Sequence, residues 1–259
     1  MKLVSGIVVA AAILLIPATA HAQEAERPFI SGIYYQCQIQ GQDRADAIVR
    51  NVVGPVYDRH MAAGHITAWG WLGHYSGGAW RRVNYFVVPT LDAVFDMQEA
   101  IRADLRKDHQ KEMTELNTIC PTHDDYIWRA AAVGAAEVSV QDRPAASNST
   151  YYECNTGDEA EADALVSSAL GPIFNKHMAA GHIRSWSWWT HVSGGKYRRL
   201  LVVDGASHKA NMNGIGQIIQ EIQATQPEAS RRFGEICSSH QDYMWDILTQ
   251  PTPLVGSSR

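Results

Sequence analysis

The sequence predicts an α+β protein made of two units, each running strand, helix, strand, strand, helix, strand. Three observations predict it. First, His60-Met61-Ala62-Ala63-Gly64-His65-Ile66 recurs as His177-Met178-Ala179-Ala180-Gly181-His182-Ile183. Second, the residues that follow recur at the same spacing: Trp69, Trp71, His74 and Ser76-Gly77-Gly78 become Trp186, Trp188, His191 and Ser193-Gly194-Gly195. Third, Cys37, Cys120 and Tyr126 are matched by Cys154, Cys237 and Tyr243, again without a gap. The chain reads as two copies of one unit.

The ends read differently. Lys2, the apolar run Leu3 to Ile16 and Ala20-His21-Ala22 form a secretory signal peptide over residues 1–22. The apolar run is too short for a spanning helix. The mature protein is therefore expected in the periplasm or outside the cell, with no stable membrane insertion. A formal charge of −5 without a basic block argues against nucleic acid as a partner. Four cysteines in an oxidising compartment permit disulfides in three possible pairings. A unit that carries its own bridge favours Cys37 with Cys120 and Cys154 with Cys237. No Cys-x-x-Cys pair suggests zinc.

Taken in order, Ile30 to Gln38 reads as a strand, rich in β-favouring Ile33, Tyr34 and Tyr35. Asp43 to about Ala63 carries the apolar stripe Ile48, Val49, Val52, Val53, Val56 of a helix. Its counterpart starts at Asp158, with Glu161 placed as in a capping box. Pro55 and Pro172 should bend these helices. Gly64 and Gly181 should end them in a left-handed conformation. Ile66 to Tyr75 and Trp80 to Val88 form a hairpin around Ser76-Gly77-Gly78. A second helical region, Leu91 to about Leu116, leads past Cys120 to a short last strand, Asp125 to about Ala131. The first unit spans 29–132, a linker 133–150, the second unit 151–249, and a loose tail 250–259.

This βαββαβ order is the ferredoxin-like pattern. With the bent first helix ending in Ala63-Gly64, the Trp69 strand and the Gly77-Gly78 turn, the chain resembles the dimeric α/β-barrel superfamily, and secreted bacterial proteins of that build. The resemblance implies two ferredoxin-like units forming an intramolecular α/β barrel. It also implies a range of activities, since the superfamily holds cofactor-independent monooxygenases, small-ring isomerases, haem enzymes and plain binding proteins. In this topology the end of the first strand lies beside the start of the fourth, which suits the Cys37–Cys120 pairing.

Side chains alternate along a strand. Arg184 sits poorly under a helix, because a buried unpaired charge is costly. The face it shares with Trp186, Trp188 and Thr190, matched by Thr67, Trp69, Trp71 and Gly73, is therefore expected to line the barrel. The same reasoning turns Tyr34, Gln36, Arg82, Asn84, Phe86, Tyr126 and Trp128 inward. In the second unit it turns Tyr151, Glu153, Arg199, Leu201, Val203, Tyr243 and Trp245 inward. An aromatic-lined interior suits a small apolar or aromatic molecule; the same rings also suit a packed core.

Two differences between the units bear on chemistry: Gln36 becomes Glu153, and Asn84 becomes Leu201. A Glu153 desolvated in the barrel would serve as a general acid or base beside Tyr151. At a strand end in water it would not. Eight of the ten histidines beyond residue 22 pair across the repeat, leaving His109 and His208. Their spacing fits no familiar zinc site, so no metal and no cofactor are expected. The superfamily resemblance raises haem ligation through His109, whose counterpart is Gln226. No Gly-x-Ser-x-Gly elbow marks a hydrolase. The reading is a secreted or periplasmic small-molecule-binding protein with an aromatic-lined cavity. A cofactor-independent monooxygenase or isomerase is one alternative, and an interaction or structural module with a solid barrel the other.

Overall fold

The structure is a computed structural model that describes residues 27–135 and 144–249. The proposed signal peptide, most of the proposed linker and the tail lie outside the described residues. In the first half, β1 (Phe29–Gln36) is followed by α1 (Gln42–Ile48) and α2 (Gly54–Ala62), then β2 (Ala68–Ser76) and β3 (Arg82–Val88). Next come α3 (Leu91–Asp108), α4 (Gln110–Ile119) and β4 (Thr122–Ala135). The second half repeats the order with β5 (Ala146–Glu153), α5 (Glu159–Leu165), α6 (Gly171–Ala179), β6 (Ser185–Ser193) and β7 (Arg199–Gly205), then α7 (His208–Thr225), α8 (Pro227–Ile236) and β8 (Ser239–Thr249).

The eight strands close into one barrel in the order β1-β3-β2-β8-β5-β7-β6-β4. Each half supplies four neighbouring antiparallel strands. The halves join along β2–β8 and β4–β6, and both seams contain register shifts. Helices cover the outside of each sheet, so the protein has a barrel interior and two separate helix–sheet layers.

Several local expectations need correction. The last strand is longer than expected because β4 continues to Ala135 along β6, and β5 begins at Ala146, inside the stretch assigned to the linker. Each first helix is not bent by a broken ladder at proline. It contains one wide π turn, Val49–Val53 and Val166–Leu170, just before Pro55 and Pro172. The prolines then sit in the first turn of α2 and α6, where a missing N–H is harmless. Asp158 makes no side-chain cap, and Glu161 is drawn instead to Arg232. Gly64 and Gly181 do adopt positive φ, 75° and 76°. Gly54 and Gly171 are held small by Trp69 and Trp186, whose rings would meet an added Cβ at 2.9 and 3.1 Å.

Disulfides join Cys37 to Cys120 and Cys154 to Cys237. Each ties the end of a first strand to the chain entering a fourth strand. A loop of this length stabilises by about 2–4 kcal/mol.

Candidate functional site

The tryptophan faces of β2 and β6 point outward, beneath the helices, against expectation. Trp69 donates its indole N–H to Asp58 at 2.8 Å, and Trp71 donates to Asp46 at 2.7 Å. Trp186 donates to Asn175 at 2.8 Å, and Trp188 to Asp163 at 2.7 Å. All four acceptors lie on the first helix of their half. Arg82 forks onto Asp46 at 2.6 and 2.8 Å, and Arg199 onto Asp163 at 2.7 and 2.8 Å. A guanidinium is thus tolerated under a helix because a carboxylate comes with it. Phe86 and Asn84, with Leu201 and Val203, share this outer face. The signal was legible: Asp46 and Asp163 recur beside the apolar stripe of the helix.

Tyr34, Tyr126, Trp128, Tyr151, Tyr243 and Trp245 do lie inside the barrel. Trp80 and Tyr197, from the β2–β3 and β6–β7 hairpins, join them. Trp80 stacks on Tyr243, while Tyr126 stacks on Trp128 and Tyr243 on Trp245. These rings fill the hairpin end of the barrel. Across its middle, Tyr34 and Tyr151 meet edge to face with ring centroids 5.6 Å apart, beside Ser149. Tyr34 also accepts the Trp128 indole N–H at 3.1 Å. Trp245, the counterpart of Trp128, keeps a buried N–H without an acceptor. Burial pushes the Tyr34 hydroxyl up to about 12, so it stays protonated.

Gln36 and Glu153 end their strands at the surface. Glu153 pairs with Lys196 at 2.6 Å and its side chain is 39% exposed. It is not the desolvated acid that a partnership with Tyr151 requires. The helix-end histidines meet in pairs, His60 with His65 at 3.2 Å and His177 with His182 at 2.8 Å, through Nδ1. Among the described residues, no three His, Cys, Asp or Glu side chains gather where they could hold a metal. His109 occupies the break between α3 and α4.

Among the described residues, two cavities differ between the halves. The first, about 200 Å³, lies between sheet and helices of the second half. Trp188, Leu201, Val203, Asn148 and Thr150 form its floor. Phe174, Ile215, Ile218, Ile222, Ser230 and Phe233 are among the residues that cover it. At the matching place in the first half, Tyr57 donates to Asn84 at 2.7 Å and Gln98 donates to Ser31 at 2.9 Å. Phe174, Leu201, Ile215 and Asn148 replace these four residues. Val203 also replaces Phe86, and Ser230 replaces Met113. The first half is stitched and filled where the second is apolar and open.

The second cavity, about 250 Å³, lies inside the barrel on the far side of Tyr34 and Tyr151 from the hairpins. Sequence reasoning named Tyr34 and Tyr151 of its lining but missed the rest on β2, β3, β6 and β7, which is the opposite face of those strands. The first half contributes Ile30, Ala68, Leu72 and Tyr85, and the second contributes Ser147, Ser149, Ser187, Trp189 and Asp204.

No protein-family profile matches the chain, and no curated protein matches it. Solved structures do. An anthrone oxidase-like protein matches with a TM-score of 0.58 at 11% identity, covering 91% of this chain and 98% of its own. A monooxygenase-type protein from Fusobacterium nucleatum matches at 0.56 and 7% identity, covering 88% and 95%. Another, from Lactobacillus acidophilus, matches at 0.54 and 10% identity, covering 88% and 97%. The fold is the dimeric α/β barrel. Here both ferredoxin-like units of that barrel come from one chain. At these identities the likeness is one of fold, and function rests on the cavities.

Proposed function

We propose that this protein is an extracytoplasmic small-molecule-binding α/β barrel whose ligand, a compact apolar or aromatic molecule, occupies the helix–sheet cleft of the second half. One observation carries the reading: the cleft is open where the first half closes the same space with the Tyr57–Asn84 hydrogen bond. Two identical scaffolds need no such difference for folding. The lining is mainly aliphatic and aromatic, with Asn148, Thr150, Gln223 and Ser230 to orient one polar group. Ile219, 48% exposed on α7, stands at the cleft as an entrance residue. The leader at residues 1–22 and the two disulfides support the extracytoplasmic address.

The test restores the closed half. Val203→Phe places the first-half residue in the cleft. Wild-type protein should show saturable quenching of Trp188 fluorescence by small aromatic probes such as indole or naphthalene, with a raised Tm. V203F should fold and lose both responses. Equal binding by the two proteins would remove the cleft from consideration.

A second reading is favoured by the fold shared with an anthrone oxidase-like protein and monooxygenase-type proteins. In it, the same cleft holds an aromatic substrate for cofactor-independent oxidation. Oxygen uptake with anthrone, abolished by V203F, is its expected sign. Unchanged uptake after Glu153→Gln is expected too, because Glu153 lies outside with Lys196.

A further inference from the structure

The barrel interior is chemically lopsided. At matching positions, Ile30, Gly32, Gly70 and Val87 of the first half become Ser147, Ser149, Ser187 and Asp204 of the second. All four replacements line the barrel cavity. None is needed to close the sheet, since the first half closes without them. Ser147 and Asp204 lie at the ends of β5 and β7 and pair across the ladder. Ile30, Ala68 and Val87 lie at the matching ends of β1, β2 and β3. The polar patch therefore faces an apolar wall across the end of the barrel opposite the hairpins.

Asp204 accepts from Ser185 Oγ at 2.7 Å and lies directly across the ladder from Ser147. Burial nevertheless holds its carboxyl above the ordinary range, with those two serines only moderating the effect. A carboxylate in such a place is stabilised by a counter-charge that arrives with its own hydrogen-bond donors. Tyr34, Tyr85, Tyr151 and Trp189 surround the same space with π faces, which also attract a cation. The Trp189 indole donates to Ser187 Oγ at 2.7 Å, holding that hydroxyl in place. The volume, about 250 Å³, suits a molecule of one ring.

We propose that the Asp204 end of the barrel is a second ligand site, one that takes the protonated amine of a small, otherwise apolar molecule. The ammonium N–H groups donate to Asp204 and to the Ser147 and Ser149 hydroxyls. The apolar body lies against Ile30, Leu72 and Ile247. This site is separate from the helix–sheet cleft and does not depend on it.

The test uses benzylamine as probe and benzyl alcohol as its neutral counterpart, with calorimetry and Trp fluorescence on the full mature chain. With the cleft filled by V203F, benzylamine should bind one to one, at least tenfold tighter than benzyl alcohol. Asp204→Asn, nearly isosteric, should weaken benzylamine at least tenfold and leave benzyl alcohol unchanged. V203F should bind benzylamine as wild type does, which separates this site from the cleft. A measurement without any variant guards against misfolding of D204N. Benzylamine affinity should rise with pH as Asp204 ionises. The titratable group that feels its charge is Tyr85, on β3; β5 and β6 face it with Ser147 and Ser185. No benzylamine binding to folded wild-type protein at millimolar concentration overturns the proposal. So does equal binding of the alcohol, an affinity flat in pH below 7, or a folded D204N that binds as wild type does.

Discussion

The two halves of the barrel differ least where they hold the fold and most where they enclose space. The Trp71–Asp46–Arg82 cluster of the first half is reproduced by Trp188–Asp163–Arg199. The disulfides, the π turns and the glycines under the tryptophans are reproduced too. By contrast, Tyr57–Asn84 against Phe174–Leu201 opens a helix–sheet cleft, and Val87 against Asp204 makes one wall of the barrel polar. The difference teaches that one half serves as an internal control for the other. What both halves keep is scaffold, and what one half changes is a candidate for function.

The largest expected effect breaks the shared scaffold. Asp46→Ala leaves Arg82 with Gln42 but no carboxylate and removes the acceptor of the Trp71 indole N–H, whereas Asp163→Ala leaves Arg199 paired with Glu159 at 3.2 Å and removes the acceptor of the Trp188 indole N–H. Losing one partner of a buried ion pair costs about 3–5 kcal/mol. Asp46→Ala should lose more stability than Asp163→Ala in urea denaturation, and equal losses would show that Glu159 does not compensate at Arg199.

A smaller effect sharpens the difference between the clefts. Tyr57→Phe leaves Asn84 Oδ1 without its donor and should cost about 1–3 kcal/mol. Adding Asn84→Leu recreates the Phe174–Leu201 pairing of the second half and should recover most of that loss. A double-mutant cycle without coupling would mean that the hydrogen bond does not close the first cleft.

The polar wall has a signature in pH. Burial holds the folded Asp204 carboxyl above its ordinary value of 3.8. The folded state therefore binds this proton more tightly than the unfolded chain does. Its contribution to stability is full below 3.8 and falls as pH rises through the folded value. Asp204→Asn should flatten that part of the stability–pH profile and leave the acid limb unchanged. An unaltered slope would contradict the buried carboxyl. The smallest effect is expected at Glu153→Gln, which breaks an exposed pair with Lys196 and should shift stability by under about 1 kcal/mol.

The sequence made the architecture legible because every element is announced twice. Alternation in β1 and β3, the Gly64 and Gly181 caps and the cysteine spacing all lead to the observed order. The site was half legible. Tyr34, Tyr126, Trp128, Tyr151, Tyr243 and Trp245 lie in the barrel as expected, but Trp69, Trp71, Arg82, Trp186, Trp188 and Arg199 do not. The error came from weighing one charge alone. A buried arginine is costly without a partner, and the partner, Asp46 or Asp163, sits on another element, roughly one turn into the first helix of the same half. Pairing across elements leaves no trace in strand periodicity. Reversing that face hid Asp204 and its serines, which stand at positions where the first half carries Val87, Ile30, Gly32 and Gly70.

The most direct test of the asymmetry needs no variant and no known ligand. Crystals pressurised with xenon report dry apolar space, because an apolar cavity large enough for the atom fills with it. The account predicts a xenon peak among Phe174, Trp188 and Ile218 in the second half, and none among Tyr57, Trp71 and Ile101 in the first. Equal peaks in both halves, or an empty second cleft, would contradict it.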